Sequence, residues 1–125
     1  LEFQSRTLAN VVLAAPAGRI DHPNARALEQ ALQPVLGDAG RSAVALVLDF
    51  AQVDYISSMG LRALMVAAKT MRARGQRIAV SGLTPAVREI FAIARFDHVL
   101  EVFPAVRDAL RDISPAALQA YDAAP

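Results

Sequence analysis

The segment Ala43-Val-Ala-Leu-Val-Leu-Asp-Phe50 constrains the fold more than any other part of the chain. It is an apolar run too short for a solitary core helix and enriched in β-branched residues, which fits a strand covered on both faces. A sheet with both faces covered needs helices above and below it, so the flanking sequence should change to a helical period. It does. Before the run, Ala25, Leu28, Ala31 or Leu32, Val35 and Leu36 recur at three- and four-residue spacing, with Pro23 suited to a first turn and Gly37 closing the helix. After it, Leu61, Leu64, Met65, Ala68 and Met71 form one apolar stripe opposite Arg62, Lys69 and Arg72, and Gly75 ends the segment.

The remaining segments follow the same alternation. Asn10–Ala15 reads as a strand ended by the turn signal Pro16-Ala-Gly18, and Glu2–Thr7 as a short edge strand beside it. Arg77–Ser81 is a further strand. Thr84-Pro85 opens a helix with Val87, Ile90, Phe91, Ile93 and Ala94 facing inward. Val99–Phe103 is the last strand, and Pro104 starts a helix through Val106, Leu110 and Ile113. The pattern predicts an α/β fold, a mixed and mostly parallel central sheet of about four to five strands with about four helices, its first strands antiparallel at one edge. One domain over residues 1–113 and a C-terminal tail over 114–125, helical in character but with few anchors, complete the expected organisation.

Composition removes several classes of function. The 125 residues are 54% hydrophobic, with 13 Lys+Arg against 12 Asp+Glu, which excludes a disordered chain. The absence of cysteine excludes a disulfide scaffold, a thiolate metal site and a cysteine nucleophile. Two distant histidines give no metal site, and no cofactor is expected. The longest uncharged run, Thr7–Gly18, is 12 residues broken by Pro16, too short to span a membrane. With no secretory signal at the start, a cytoplasmic protein is expected.

In a parallel sheet, functional groups collect in loops beyond the carboxyl ends of strands. The loop after the buried run, Asp49-Phe-Ala-Gln-Val-Asp-Tyr-Ile-Ser-Ser-Met-Gly-Leu-Arg62, is therefore the place to seek the site. Ser57-Ser58-Met59-Gly60 stands where it turns into the second helix. A serine there serves as an N-cap or, because the N-terminal amides also favour an anion, as a phosphorylation site. The two roles are compatible. Gly60 in a first turn costs about 1 kcal/mol relative to Ala, so its missing side chain should serve a close approach, by another backbone or by a partner.

These residues resemble the bacterial anti-sigma factor antagonists, which are STAS domains. The likeness covers about residues 9–110: Gly18-Arg-Ile-Asp21 before the first helix; Val47-Leu-Asp-Phe50 followed by Val53-Asp-Tyr-Ile-Ser-Ser-Met-Gly-Leu-Arg62; and Leu83-Thr-Pro-Ala-Val-Arg-Glu-Ile-Phe91 with Phe96-Asp-His-Val-Leu100. The resemblance implies a STAS-type single domain whose phosphoacceptor is Ser58, two residues before the glycine. Ser57 takes the place of the family's usual acid and is a possible second acceptor. It further implies a partner switch in transcription regulation. The unphosphorylated protein would bind an anti-sigma factor with serine kinase activity, phosphorylation would break the complex, and a phosphatase would reset it. Asp21, Ser57, Ser58, Met59, Gly60 and Arg62 would form the partner-binding set, although Asp21, followed by Pro23, equally reads as a helix cap. The alternative within the fold is a non-phosphorylated STAS interaction module in a lipid-transport, stress-signalling or anion-transporter complex.

Enzymatic and nucleic-acid readings are weaker. A serine hydrolase elbow needs Gly-x-Ser-x-Gly, and Ile56-Ser-Ser58-Met-Gly60 lacks its first glycine. A triad would need His22 or His98, and His98 follows Asp97 in an expected surface turn. No enzyme activity is expected. Arg62, Lys69, Arg72, Arg74, Arg77 and Arg88 make a basic stretch with no acid between Tyr55 and Glu89, but no aromatic residues are interleaved for base stacking. Direct nucleic-acid binding is not expected, and such a face equally suits an acidic protein partner.

Overall fold

The computed structural model describes residues 1–39 and 41–123, with the side chains of residues 38 and 39 outside that set. In chain order the elements are β1 (Glu2–Leu8), β2 (Val11–Ile20), α1 (His22–Pro34), β3 (Ala45–Asp49), β4 (Val53–Ile56), α2 (Ser58–Ala73), β5 (Arg77–Ser81), α3 (Pro85–Ile93), β6 (Glu101–Phe103), α4 (Val106–Ile113) and α5 (Pro115–Ala123). A wide turn over Val35–Ala39 follows α1, and Gly37 (φ −82°, ψ −117°) leaves helical geometry there. The sheet runs β1-β2-β3-β5-β6, with β4 paired to the far end of β2. Among the described residues, only the β1–β2 pairing is antiparallel.

The apolar run is the middle strand, β3, and its alternation shows how the molecule is layered. Leu46 and Leu48 enter a core shared with Leu28, Leu64, Val87 and Phe91 of α1, α2 and α3. Ala45 and Val47 enter a second core with Val106 and Leu110 of α4 and Ala117 of α5. Successive residues of a strand point to opposite faces, so one short segment anchors both layers.

Element ends shift, as at the last strand, which starts at Glu101 rather than Val99 because Val99 closes the Phe96–His98 turn. Beyond these, four details differ from the sequence expectation. Pro16-Ala-Gly18 does not end a strand, because β2 continues to Ile20. Its pairing with β3 stops at Ala14 and its pairing with β4 starts at Gly18. Pro16, which has no N–H, thus falls in the gap between two partners, where a missing donor costs least. Gly18 (φ +107°) supplies the left-handed geometry of the bulge that follows, and its N–H donates to the Gln52 carbonyl at 2.8 Å. The loop after β3 contains a sixth strand, β4, held by β2 and by the Thr84 hydroxyl, which donates to the Val53 carbonyl at 3.1 Å.

The third difference lies at the end of α3. Ile93 and Ala94 do not face inward, and Ile93 is 77% exposed. The helix stops at Ile93, the chain reverses through Arg95 (φ 57°), and Phe96 fills the core position against the Phe91 ring, 5.5 Å between centroids.

The fourth concerns the segment from Ser114, which forms α5 through Ala123; residues 124–125 lie outside the described set. The buried Ser114 hydroxyl donates to Asn10 Oδ1 at 2.5 Å and accepts from the Ala117 amide at 3.1 Å, while Arg6 lies over the Tyr121 ring at 5.5 Å. At the opposite sheet edge, Arg77 bridges Glu101 of β6 (2.6 Å) and Asp112 of α4 (2.7 Å), and hydrogen bonding to these carboxylates pushes its pKa further up.

Candidate functional site

Two helices start side by side at one end of the sheet. Ile20 and Ile56, the last residues of β2 and β4, are register partners, and the Ser57 amide donates to the Ile20 carbonyl at 2.8 Å. One residue beyond each strand comes a helix cap. Asp21 accepts the Asn24 amide at 3.1 Å to open α1, and Ser57 accepts the Gly60 amide at 3.2 Å to open α2. The structure therefore brings Asp21, Ser57 and Ser58 together. The sequence left cap and acceptor roles open at the two serines; here the cap is Ser57. Ser58, the first residue of α2, is exposed, and its hydroxyl makes no hydrogen bond among the described residues.

The close approach at Gly60 is made inside the chain. Gly60 is buried, and a Cβ there would stand 2.7 Å from Ile56 Cγ1 and 2.8 Å from Ile20 Cγ2. The glycine lets α2 begin directly on the β2–β4 pair, which brings Ser58 to the rim. Met59 and Arg62 point outward, Met59 with 40% of its surface exposed.

Other neighbours carried no clear sequence signal. Arg19 and Tyr55 are register partners, and the guanidinium lies over the ring at 4.0 Å. The Asn24 side-chain amide donates to the Arg19 carbonyl at 2.7 Å, fixing the turn before α1. His22, Pro23, Ala25, Arg26 and Glu29 of α1 line, with Met59, a groove of about 630 Å³ between the two helix starts. Asp54 is exposed beside Tyr55, while His98 lies remote in the Phe96–His98 turn. Among the described residues there is no group of three His, Cys, Asp or Glu side chains placed to hold a metal ion, and no helix is long and apolar enough to cross a membrane.

Comparison with known proteins agrees with this architecture. The family model described as Mlab, STAS domain matches residues 3–117. A Bordetella bronchiseptica protein named as a candidate anti-sigma factor antagonist, BtrV, is 37% identical over 94 residues, 75% of this chain and 76% of its own length. The crystal structure of an anti-sigma factor antagonist from Mycobacterium paratuberculosis superposes with a TM-score of 0.80 at 28% identity, covering 90% of this chain and 92% of that one. The Bacillus cell fate determinant SpoIIAA in its phosphorylated form shares the fold alone, with a TM-score of 0.66 at 13% identity over 90% and 99% of the two chains. A match over nearly the whole fold and a relative identical at more than a third of the aligned positions settle the kinship: the chain belongs to the STAS domain family, among relatives named anti-sigma factor antagonists.

Proposed function

We propose that this protein is an anti-sigma factor antagonist that works by partner switching, with Ser58 as its phosphoacceptor. The observation that carries the reading is the division of labour between adjacent serines. Ser57 spends its oxygen on the helix cap, and Ser58 presents an uncommitted, exposed hydroxyl one residue later. The unphosphorylated surface around Asp21, Ser57, Ser58, Met59 and Arg62, shaped from beneath by Gly60, binds an anti-sigma factor with serine kinase activity. The kinase transfers the γ-phosphoryl group of ATP to Ser58 Oγ; the hydroxyl proton leaves and ADP is released. The new group carries a charge of about −1.5 to −2. Within a packed interface it must be desolvated beside the Asp21 carboxylate, so the complex opens. A phosphatase returns the hydroxyl. The setting is the bacterial cytoplasm, where sigma factors act.

The test uses purified anti-sigma factors with serine kinase domains from the same cell. Ser58→Ala should bind like wild type and incorporate no phosphate, Ser58→Asp should lose binding, and mass spectrometry should place the phosphate on Ser58 rather than Ser57. Equal binding by both variants, with no phosphate on either serine, would overturn the switch. It would support a constitutive, non-phosphorylated STAS interaction module, a reading favoured by Ser57 standing where the family usually has an acid. If no anti-sigma factor bound, that module would belong to another complex.

A further inference from the structure

The outward face of α2 is unusual for a solvated helix. Residues 59, 62, 66, 69 and 73 are all exposed and recur at three- and four-residue spacing along the whole helix. A surface helix is ordinarily polar on this side. Here the stripe reads Met59, Arg62, Val66, Lys69, Ala73, with Met59 40% and Val66 51% exposed. A lone exposed apolar side chain needs no explanation. Two of them seven residues apart, each followed by a cation three residues on, repeat the seam spacing by which one helix receives another.

The charge of this face is one-sided. No acid lies between Tyr55 and Glu89. Across the groove at the start of the stripe, α1 offers His22 and Arg26, with Glu29 the one carboxylate among the lining residues. A second copy of this chain fits poorly, since a two-fold contact would set Arg62 and Lys69 against their own like charges. A helix with carboxylates flanking an apolar seam fits both features.

We propose that the Met59–Ala73 stripe is the docking track for an acidic amphipathic helix of the partner protein. The partner's apolar side chains pack on Met59 and Val66, and its carboxylates pair with Arg62, Lys69 and Arg26. This rests on the partner-switch reading, because the track begins at Met59, the residue after Ser58. It extends recognition two further turns down α2. It also makes Val66 and Lys69 determinants of partner choice that are separate from the modification site.

The experiment measures, by calorimetry, binding of the same purified anti-sigma factors to wild type, Val66→Glu, Lys69→Glu, Lys69→Arg and Ser58→Asp, with a thermal melt confirming each fold. Val66→Glu and Lys69→Glu should each weaken binding about tenfold or more, Lys69→Arg should stay within about twofold of wild type, and added salt should weaken the wild-type complex. If both Glu variants bind within about twofold of wild type, the docking track is wrong, whatever Ser58→Asp does. If Ser58→Asp binds normally while Val66→Glu does not, the track stands and the switch falls. Failure of wild type to bind any of these anti-sigma factors overturns both. A wild-type dimer that Val66→Glu dissociates, without binding to an anti-sigma factor, assigns the stripe to a second copy and also overturns the proposal.

Discussion

Asp21 and Ser57 hold equivalent positions: each stands one residue beyond the paired Ile20 and Ile56, and each caps a helix by accepting the amide three residues ahead, at 3.1 and 3.2 Å. The two caps align the N-termini of α1 and α2 at one rim of the sheet. The neighbouring Ser58 contributes nothing to this construction, and that difference between adjacent serines is measurable.

Ser57→Ala should cost about 1 kcal/mol of unfolding free energy, as should Asp21→Ala, because each removes the acceptor for a first-turn amide. Ser58→Ala should stay within about 0.5 kcal/mol of wild type, the usual range for an exposed surface change. Urea denaturation of the three variants checks the order. A Ser58→Ala loss as large as that of Ser57→Ala would mean that Ser58 is part of the cap.

Gly60→Ala sets two effects against each other. Helix propensity alone favours alanine by about 1 kcal/mol. The new methyl would stand 2.7 Å from Ile56 and 2.8 Å from Ile20, and both isoleucines are fully buried with little room to shift. Overpacking of this kind costs about 1–3 kcal/mol, so a net loss of stability is expected on denaturation. A stabilised variant would show that α2 can slide outward on its strands.

Much of the fold was legible because its signals are local. The period of Leu61–Met71, the two-faced run of β3 and the glycine stops are each carried by neighbouring residues. What was hidden depends on partners distant in sequence. Pro16 reads as a turn until β2 is seen to change partners around it, and four-residue β4 becomes a strand only because the long β2 needs a second neighbour. Ile93 reads as core by spacing, yet the reversal at Arg95 gives its place to Phe96. At the site, the serines and Asp21 were visible as motif residues. The groove formed with His22 and Arg26 was not, since nothing in a single sequence places α1 beside Met59.

Ser114 tests whether α5 belongs to the folded unit. Its buried hydroxyl links Asn10, between β1 and β2, to the Ala117 amide of α5, and Ala117 is fully buried in the second core. Ser114→Ala leaves the buried Ala117 amide without its acceptor, at a cost of about 1–3 kcal/mol, while exposed Asn10 can turn to solvent. Hydrogen exchange should show amides of α5 and β1 losing protection together. A variant as stable as wild type, with α5 exchanging independently, would make this segment an appendage.

A phosphate placed on Ser58, as proposed, should itself report its surroundings. Phosphoserine ordinarily takes its second ionisation near pH 6. At the first position of α2 it faces unpaired helix amides, and exposed Arg62 stands one turn along the same face. Both favour the dianion, so the ionisation should shift down, while the Asp21 carboxylate at the neighbouring cap opposes the shift. Phosphorus NMR titration of phosphorylated protein should therefore show a midpoint below that of a phosphoserine peptide. Arg62→Ala should move that midpoint up, and Asp21→Asn should move it down. Opposite responses, with the fold intact, would mean that the phosphate turns away from the paired helix starts, and electrostatic clash with Asp21 would no longer account for the proposed release of the partner.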